Sequence, residues 1–347
     1  MTKRHKFENL IVLININMYS KLLPKLGQYG KLMLPMSYGK YKTSNVVINT
    51  RKPGFCTVFD VSHMGVFETQ DKSILENQFL VNMSKFDNKS KLSAIINENG
   101  HIIDDLIIGD VDKEKYRLVV NSNTKDYFRK FEQFTEKNKM ILAVQGDYSQ
   151  EILENLFKVD LSNLYFMENL TVSKDSIEIS RCGYTGEDGF EIYMDPSVGE
   201  DIKEYLVDNA LNNDNVMFGG LIERDILRQE AGMCLSGTDF GPEMNIDFKA
   251  LNLNFMVDLK YRKQNTYSSI YTRIGFTDNR PIRIGPVNDI TNTNIGHITS
   301  STKSFNLNKF IAIGYLKKDF IESIFQGELL ARNMPFVKTN YFRPYSS

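Results

Sequence analysis

The sequence predicts an α+β protein, and three observations carry that expectation. Runs with strand period and runs with helical period alternate through the first two thirds of the chain. The mixing suggests layered α+β packing rather than a doubly wound sheet. Past about residue 265, short strands separated by Asn, Asp, Gly and Pro take over, which predicts a separate C-terminal β domain. A length of 347 residues, at roughly 150 per domain, fits two or three domains.

Taken in order, residues 58–67 read as a strand rich in β-formers, and 102–108 as an apolar strand interrupted by Asp104 and Asp105. Residues 116–120 (YRLVV) make a third strand. The period then changes over 125–137, where Phe128, Phe131 and Phe134 share one helical face between charges. A strand at 141–144 stops at Gln145-Gly146. Residues 176–180 and 190–194 alternate with period two around a glycine-bearing turn, Gly183 to Gly189. Residues 198–211 and 221–230 read as helices, the second bounded by Gly219-Gly220 and Gly232. In the last third, 273–276, 295–300 and 310–315 are the strand candidates.

Composition excludes several function classes. Lysine plus arginine number 42 against 43 acids, a net charge of -1, so the basic excess of a nucleic-acid binder is missing. Cys56, Cys182 and Cys234 lack metal spacing and histidines are only four, so no metal site is expected. No apolar run reaches the roughly 18 residues that span a bilayer. The N-terminus sets Lys3, Arg4, Lys6, Lys21 and Lys25 against the single acid Glu8, and this leader (residues 1–29) resembles a mitochondrial transit peptide.

Several charged residues invite a chemical reading. Successive strand residues face opposite ways, so one of Asp104 and Asp105 faces inward, where a carboxylate needs a partner or a task; a solvated strand end is equally open. Glu191 and Tyr193 share one face of their strand, opposite Phe190, Ile192 and Met194; exposure and ligand binding are both open. Arg224 and Arg228 lie four apart on one helical face, suited to surface pairing with Asp225 and Glu230 or to bidentate ligand binding.

Four segments, in this order, are more specific: FDVSHMG (59–65), NENGHIIDDL (97–106), SRCGYTGEDGFE (180–191) and GLIERDILRQEAGMCLSG (220–237). Together they resemble the aminomethyltransferase family, the T-proteins of glycine cleavage, from about residue 30 to the C-terminus. The resemblance implies a three-domain cloverleaf around a central tetrahydrofolate channel, with a β-barrel-like C-terminal domain. Its domains are expected at 30–55 with 139–245 (folate-binding, discontinuous), 56–138 (carrying the catalytic aspartate) and 246–347. Carried over by position, Asp105 matches the catalytic acid and Glu191 the glutamate that holds the pterin. Arg224 and Arg343 match binding arginines, and Asn121 and Tyr184 match ligand-lining positions. The implied reaction moves a methylene from an aminomethyl group on the lipoyl arm of H-protein to tetrahydrofolate. It releases ammonia, needs no metal and proceeds alongside the other glycine cleavage proteins. A mitochondrial matrix location goes with the leader; neither nucleic acid nor membrane is an expected partner.

The chain departs from the family pattern at Leu92, Gly109 and Met233, where aromatics are expected or occur, and at His101, which replaces a glycine. It has no tryptophan, and residues 300–308 lack the usual Pro and Gly. Two other readings share the outline: a non-catalytic folate-binding relative of the iron–sulfur assembly type, whose motif has a cysteine like Cys182, and a folate-dependent demethylase.

Overall fold

The computed structural model describes residues 19–79, 81, 83, 86–112, 115–173, 177–251, 253, 256, 270–288, 291–325 and 336–337. The leader up to residue 18 and Arg343 lie outside them. The described residues divide into two compact units: the chain up to His63 with Asn138–Leu227, and Met64–Lys137 with the chain from Arg228 onward.

In chain order, β1 (Pro24–Tyr29) and β2 (Leu32–Tyr38) precede α1 (Thr43–Thr50) and β3 (Cys56–Asp60). Then follow β4 (Gly65–Thr69), α2 (Lys72–Gln78), β5 (Ser90–Ile96), β6 (Ile102–Asp112), β7 (Lys115–Val120), the one-turn α3 (Lys125–Phe128) and β8 (Thr135–Lys137). Next are β9 (Met140–Gln145), α4 (Ser149–Phe157), β10 (Asn169–Ser173), β11 (Ile177–Ser180), β12 (Gly189–Met194), α5 (Pro196–Asn212), β13 (Val216–Phe218) and α6 (Leu221–Glu230). The chain ends with β14 (Tyr271–Asp278), β15 (Gly285–Asn288), β16 (Asn294–Ser304), β17 (Lys309–Lys317), α7 (Lys318–Phe325) and β18 (Phe336–Val337).

The first unit is built on a six-stranded sheet ordered β10-β11-β12-β9-β3-β13, antiparallel except for the parallel β3–β13 pair. Alternate side chains of its central strands, Val58, Leu142, Val144, Phe190, Ile192 and Met194, meet Ile152 and Leu153 of α4 and Leu206 and Val207 of α5. Burying one such side chain contributes roughly 1.5–3 kcal/mol. Every residue of β12 is buried, so the face opposite this core is covered too. Glu191 sits on that face, opposite Ser180 and Ala143 on the flanking strands. Those small neighbours leave room for a carboxylate. β1 and β2 form a separate antiparallel hairpin.

The second unit holds two five-stranded sheets, β5-β6-β7-β4-β8 and β15-β16-β17-β14-β18. The first closes on an aromatic core of Phe67, Phe79, Phe128 and Phe134. This core corrects the helix expected over 125–137. Only Lys125–Phe128 is helical, and after a turn Thr135–Lys137 pairs with β4. The Phe128 ring stacks on Phe67 and Phe79 at 5.3 and 5.7 Å, and Phe134 lies 6.0 Å from Phe79. A spacing of three lets a turn deliver the same rings, and packing overrode the local period. The strand expected at 58–67 is two strands, β3 and β4, one in each unit. Among the described residues the C-terminal sheet ends at β15 and β18, and no closed barrel is found. No helix among the described residues is long and apolar enough to cross a membrane.

Candidate functional site

The first unit brings Glu191, Tyr184 and Arg224 together. Glu191 is 4% exposed, and its Oε2 accepts a hydrogen bond from the Tyr193 hydroxyl at 2.5 Å. Its Oε1 stands 4.0 Å from Arg224 Nη2, an ion-pair distance beyond hydrogen-bond reach. The Arg224 guanidinium carbon lies 5.0 Å from the centre of the Tyr184 ring, a stacking that a planar cation suits. Arg224 Nη1 is buried and has no hydrogen-bond partner among the described residues. Leaving a buried charged donor unpaired costs at least about 1–3 kcal/mol. A bound acceptor recovers that cost.

Local sequence explains how each element is aimed. Gln145 holds the 181–189 turn from inside, its amide donating to the Cys182 carbonyl at 3.0 Å and accepting from the Thr185 hydroxyl at 3.0 Å. A Cβ at position 183 would fall 1.7 Å from the Gln145 Oε1, so a larger residue there would displace the Gln145 amide from these bonds. Arg181 grips Asp188 with two donors, at 3.0 and 2.5 Å. At the start of α6 the Gly220 N–H donates to Glu223 Oε2 at 2.9 Å. β2 passes so near that a Cβ on Gly220 would lie 2.3 Å from the Met36 carbonyl carbon. Arg224 therefore projects from a helix whose first turn is closely seated.

The second unit holds the aspartate pair. Asp104 is 1% exposed; its Oδ1 accepts from the Asp105 N–H at 2.8 Å and from Asn121 Nδ2 at 2.7 Å. The same Asn121 amide donates to Asp105 Oδ1 at 2.9 Å, so one NH₂ group bridges both carboxylates. Asp104 Oδ2 is buried without a partner among the described residues. Asp105 is half-buried. Loss of water around its carboxyl, then the Asp104 charge, raise its pKa from 3.8 to about 7 against the opposing Asn121 hydrogen bond. A carboxyl titrating there is matched to proton transfer near neutral pH.

Five of the six expected site residues thus fall into two clusters: Glu191, Arg224 and Tyr184 in one, Asp105 and Asn121 in the other. The sixth, Arg343, lies outside the described residues. Arg228, open to ligand binding on spacing alone, is instead structural. It is 1% exposed, ion-paired to Asp239, and donates to the Met233 carbonyl and to Ser300 Oγ. Glu230 of the same helix holds Ser304 and Asn306 at 2.7 Å each. Of the departures, Leu92 packs beside the Phe240 and Ile246 cluster, and His101 bridges to Asp247. Sequence reasoning did not assign the Tyr193–Glu191 bond, although both residues were placed on one face. It also missed Arg51, described below, for which no local signal existed.

The fold defines a class: a mixed α/β protein whose two units each carry a cluster of charged side chains. Residues 19–261 match the GCVT N-terminal domain family. The chain is similar to the aminomethyltransferase of Staphylococcus carnosus, 33% identical over 327 residues, covering 86% of this chain and 88% of that one. It is also similar to the mitochondrial aminomethyltransferase of Pisum sativum, 30% identical over 364 aligned positions, covering 92% and 88%. Among solved structures, the glycine cleavage system aminomethyltransferase T of Bartonella henselae superposes with a TM-score of 0.77 at 26% identity, covering 88% of this chain and 89% of that one. The chain belongs to the aminomethyltransferase family of the glycine cleavage system.

Proposed function

We propose that the chain transfers a methylene group from an aminomethyl adduct on the lipoyl arm of H-protein to tetrahydrofolate, giving 5,10-methylenetetrahydrofolate and ammonia. The observation that carries the residue assignment is the Asp104–Asp105 pair bridged by one Asn121 amide, where burial first and the Asp104 charge second raise the Asp105 pKa to about 7. Loss of ammonia leaves an electrophilic methylene on sulfur. A folate nitrogen attacks it, and closure of the five-membered ring by the second nitrogen releases the thiol. Asp105 orients the attacking nitrogen and accepts its proton, while Asn121 holds both aspartates in register. Glu191 accepts from the pterin's adjacent N–H donors, and Arg224 Nη1 finds its acceptor on the same ring. Tyr184 lines the pocket, and Arg343 completes the set. Holding folate and the carrier's sulfur in register supplies much of the rate.

The finer architecture proposed is the family's three domains, with residues 56–138 and 246–347 as separate domains alongside the discontinuous 30–55 and 139–245. A mitochondrial matrix address draws on the basic leader and the plant relatives' names; the bacterial relatives are as similar. The iron–sulfur assembly reading is disfavoured because Cys182 is only 4% exposed.

The test is ammonia release from aminomethyl-loaded H-protein with and without tetrahydrofolate. Folate-dependent release with methylenetetrahydrofolate formed supports the transferase; folate binding without release points to the scaffold reading.

A further inference from the structure

Tyr184 and Arg224 are 40 residues apart in sequence and sit on different elements, so something must hold their stacking distance. α1 does so at both of its ends. At its first residue, the Thr43 hydroxyl donates to Glu223 Oε1 at 2.6 Å, next to Arg224 on α6. At its C-cap stands Arg51, whose backbone N–H donates to the Ile48 carbonyl at 3.3 Å, while the Lys52 N–H donates to the Asn49 carbonyl at 2.9 Å. Just before it, the Thr50 hydroxyl donates to the Val46 carbonyl at 2.6 Å and lies 2.7 Å from the Thr57 hydroxyl on β3. Arg51 is thus mounted on a fixed corner between α1 and β3.

From that corner its guanidinium reaches two elements. Nη1 donates to Glu187 Oε1 at 2.5 Å, three residues beyond Tyr184 in the glycine-bearing turn. Nη2 donates to the Leu227 carbonyl at 3.1 Å, three residues beyond Arg224 on α6. The Arg51 side chain is 19% exposed, so water competes weakly for these bonds. One rigid fork satisfies acceptors on both elements at once; a lysine, a single point charge on a flexible stem, cannot span them.

We infer that Arg51 is a positioning residue of the ligand pocket, tying the turn that presents Tyr184 to the helix that presents Arg224. The inference rests on the pocket reading proposed above. Arg51 touches no ligand in this account. It acts by fixing the Tyr184–Arg224 stack, and through it the acceptor-seeking face of Arg224.

The experiment is steady-state kinetics of Arg51→Lys and Glu187→Ala in the full chain, with aminomethyl-loaded H-protein and varied tetrahydrofolate, alongside thermal melts. The expected result for each is a folate KM raised about ten-fold, with kcat at saturating folate changed by less than about two-fold. The same substitutions in a Tyr184→Ala background should raise KM far less, because the stack they hold is already lost. An unchanged folate KM in both variants, or an undiminished effect in the Tyr184→Ala background, overturns the inference. If Arg51→Lys fails to fold, Glu187→Ala carries the comparison alone. Arg224→Lys in the otherwise native chain separates the two levels. Unchanged folate affinity there sinks the pocket reading itself. Weakened affinity there with silent Arg51 and Glu187 variants sinks only the positioning role.

Discussion

Glu191 and Asp105 are the same functional group in opposite company. Glu191 stands beside a cation and accepts from a phenol, on a strand face whose neighbours are Ser180 and Ala143. Asp105 stands beside another carboxylate and shares a single amide donor with it. Burial next to a like charge favours a proton on Asp105. The proposed tasks follow that contrast, Glu191 holding a ligand's N–H groups and Asp105 taking a proton away.

The largest test of that contrast is Asp105→Asn. It keeps shape and the Asn121 contact while removing the base, so ammonia release should fall by about 10²–10⁴ with folding and folate affinity retained. Undiminished release would remove Asp105 from the chemistry. Glu191→Ala should act on the other side of the comparison, weakening folate binding about 10- to 100-fold. Calorimetric titration showing native affinity would take Glu191 out of the pocket.

A subtler test moves one residue's environment. In its proposed role as base Asp105 must be ionised, so kcat/KM should rise with pH through about 7. Because the folded value lies above the 3.8 of the free group, this site costs stability progressively as pH climbs from 3.8 to about 7. Asp104→Asn removes the like charge while keeping an Oδ1 to accept the same two donors. The midpoint of the rate profile should then shift to lower pH. A midpoint that stays put would show that burial alone sets it. The smallest effect belongs to Tyr193→Phe, which removes one hydrogen bond to Glu191 and should cost a few-fold in folate KM, about 0.5–1.5 kcal/mol. A native KM in that variant would mean Glu191 is held by its packing.

Much of the fold was legible because its signals are local. The alternation of 190–194, the helical face of 198–211 and the glycines bounding 221–230 each follow from backbone periodicity and turn chemistry, and the structure has β12, α5 and α6 there. Where local signals were ambiguous, they misled. Three phenylalanines at spacing three suit a helix, yet the aromatic core around Phe67 and Phe79 takes Phe128 from a one-turn helix and Phe131 and Phe134 from the turn that follows. Arg224 and Arg228 share a helical face by period, but Asp239 and Ser300 claim Arg228. Nothing within a few residues of Arg228 announces a partner 72 positions away in sequence.

By itself, then, the sequence determined the element types along most of the chain, the family, and which side chains carry charge at the motif positions, because these depend on local propensity and residue identity. Only the tertiary structure decided that Glu191 is buried beside Arg224, that one asparagine amide spans Asp104 and Asp105, and that Arg51 joins two distant elements. Burial, charge proximity and the occupancy of each oxygen are set by residues far apart in the chain, and those distances exist only once the chain has packed.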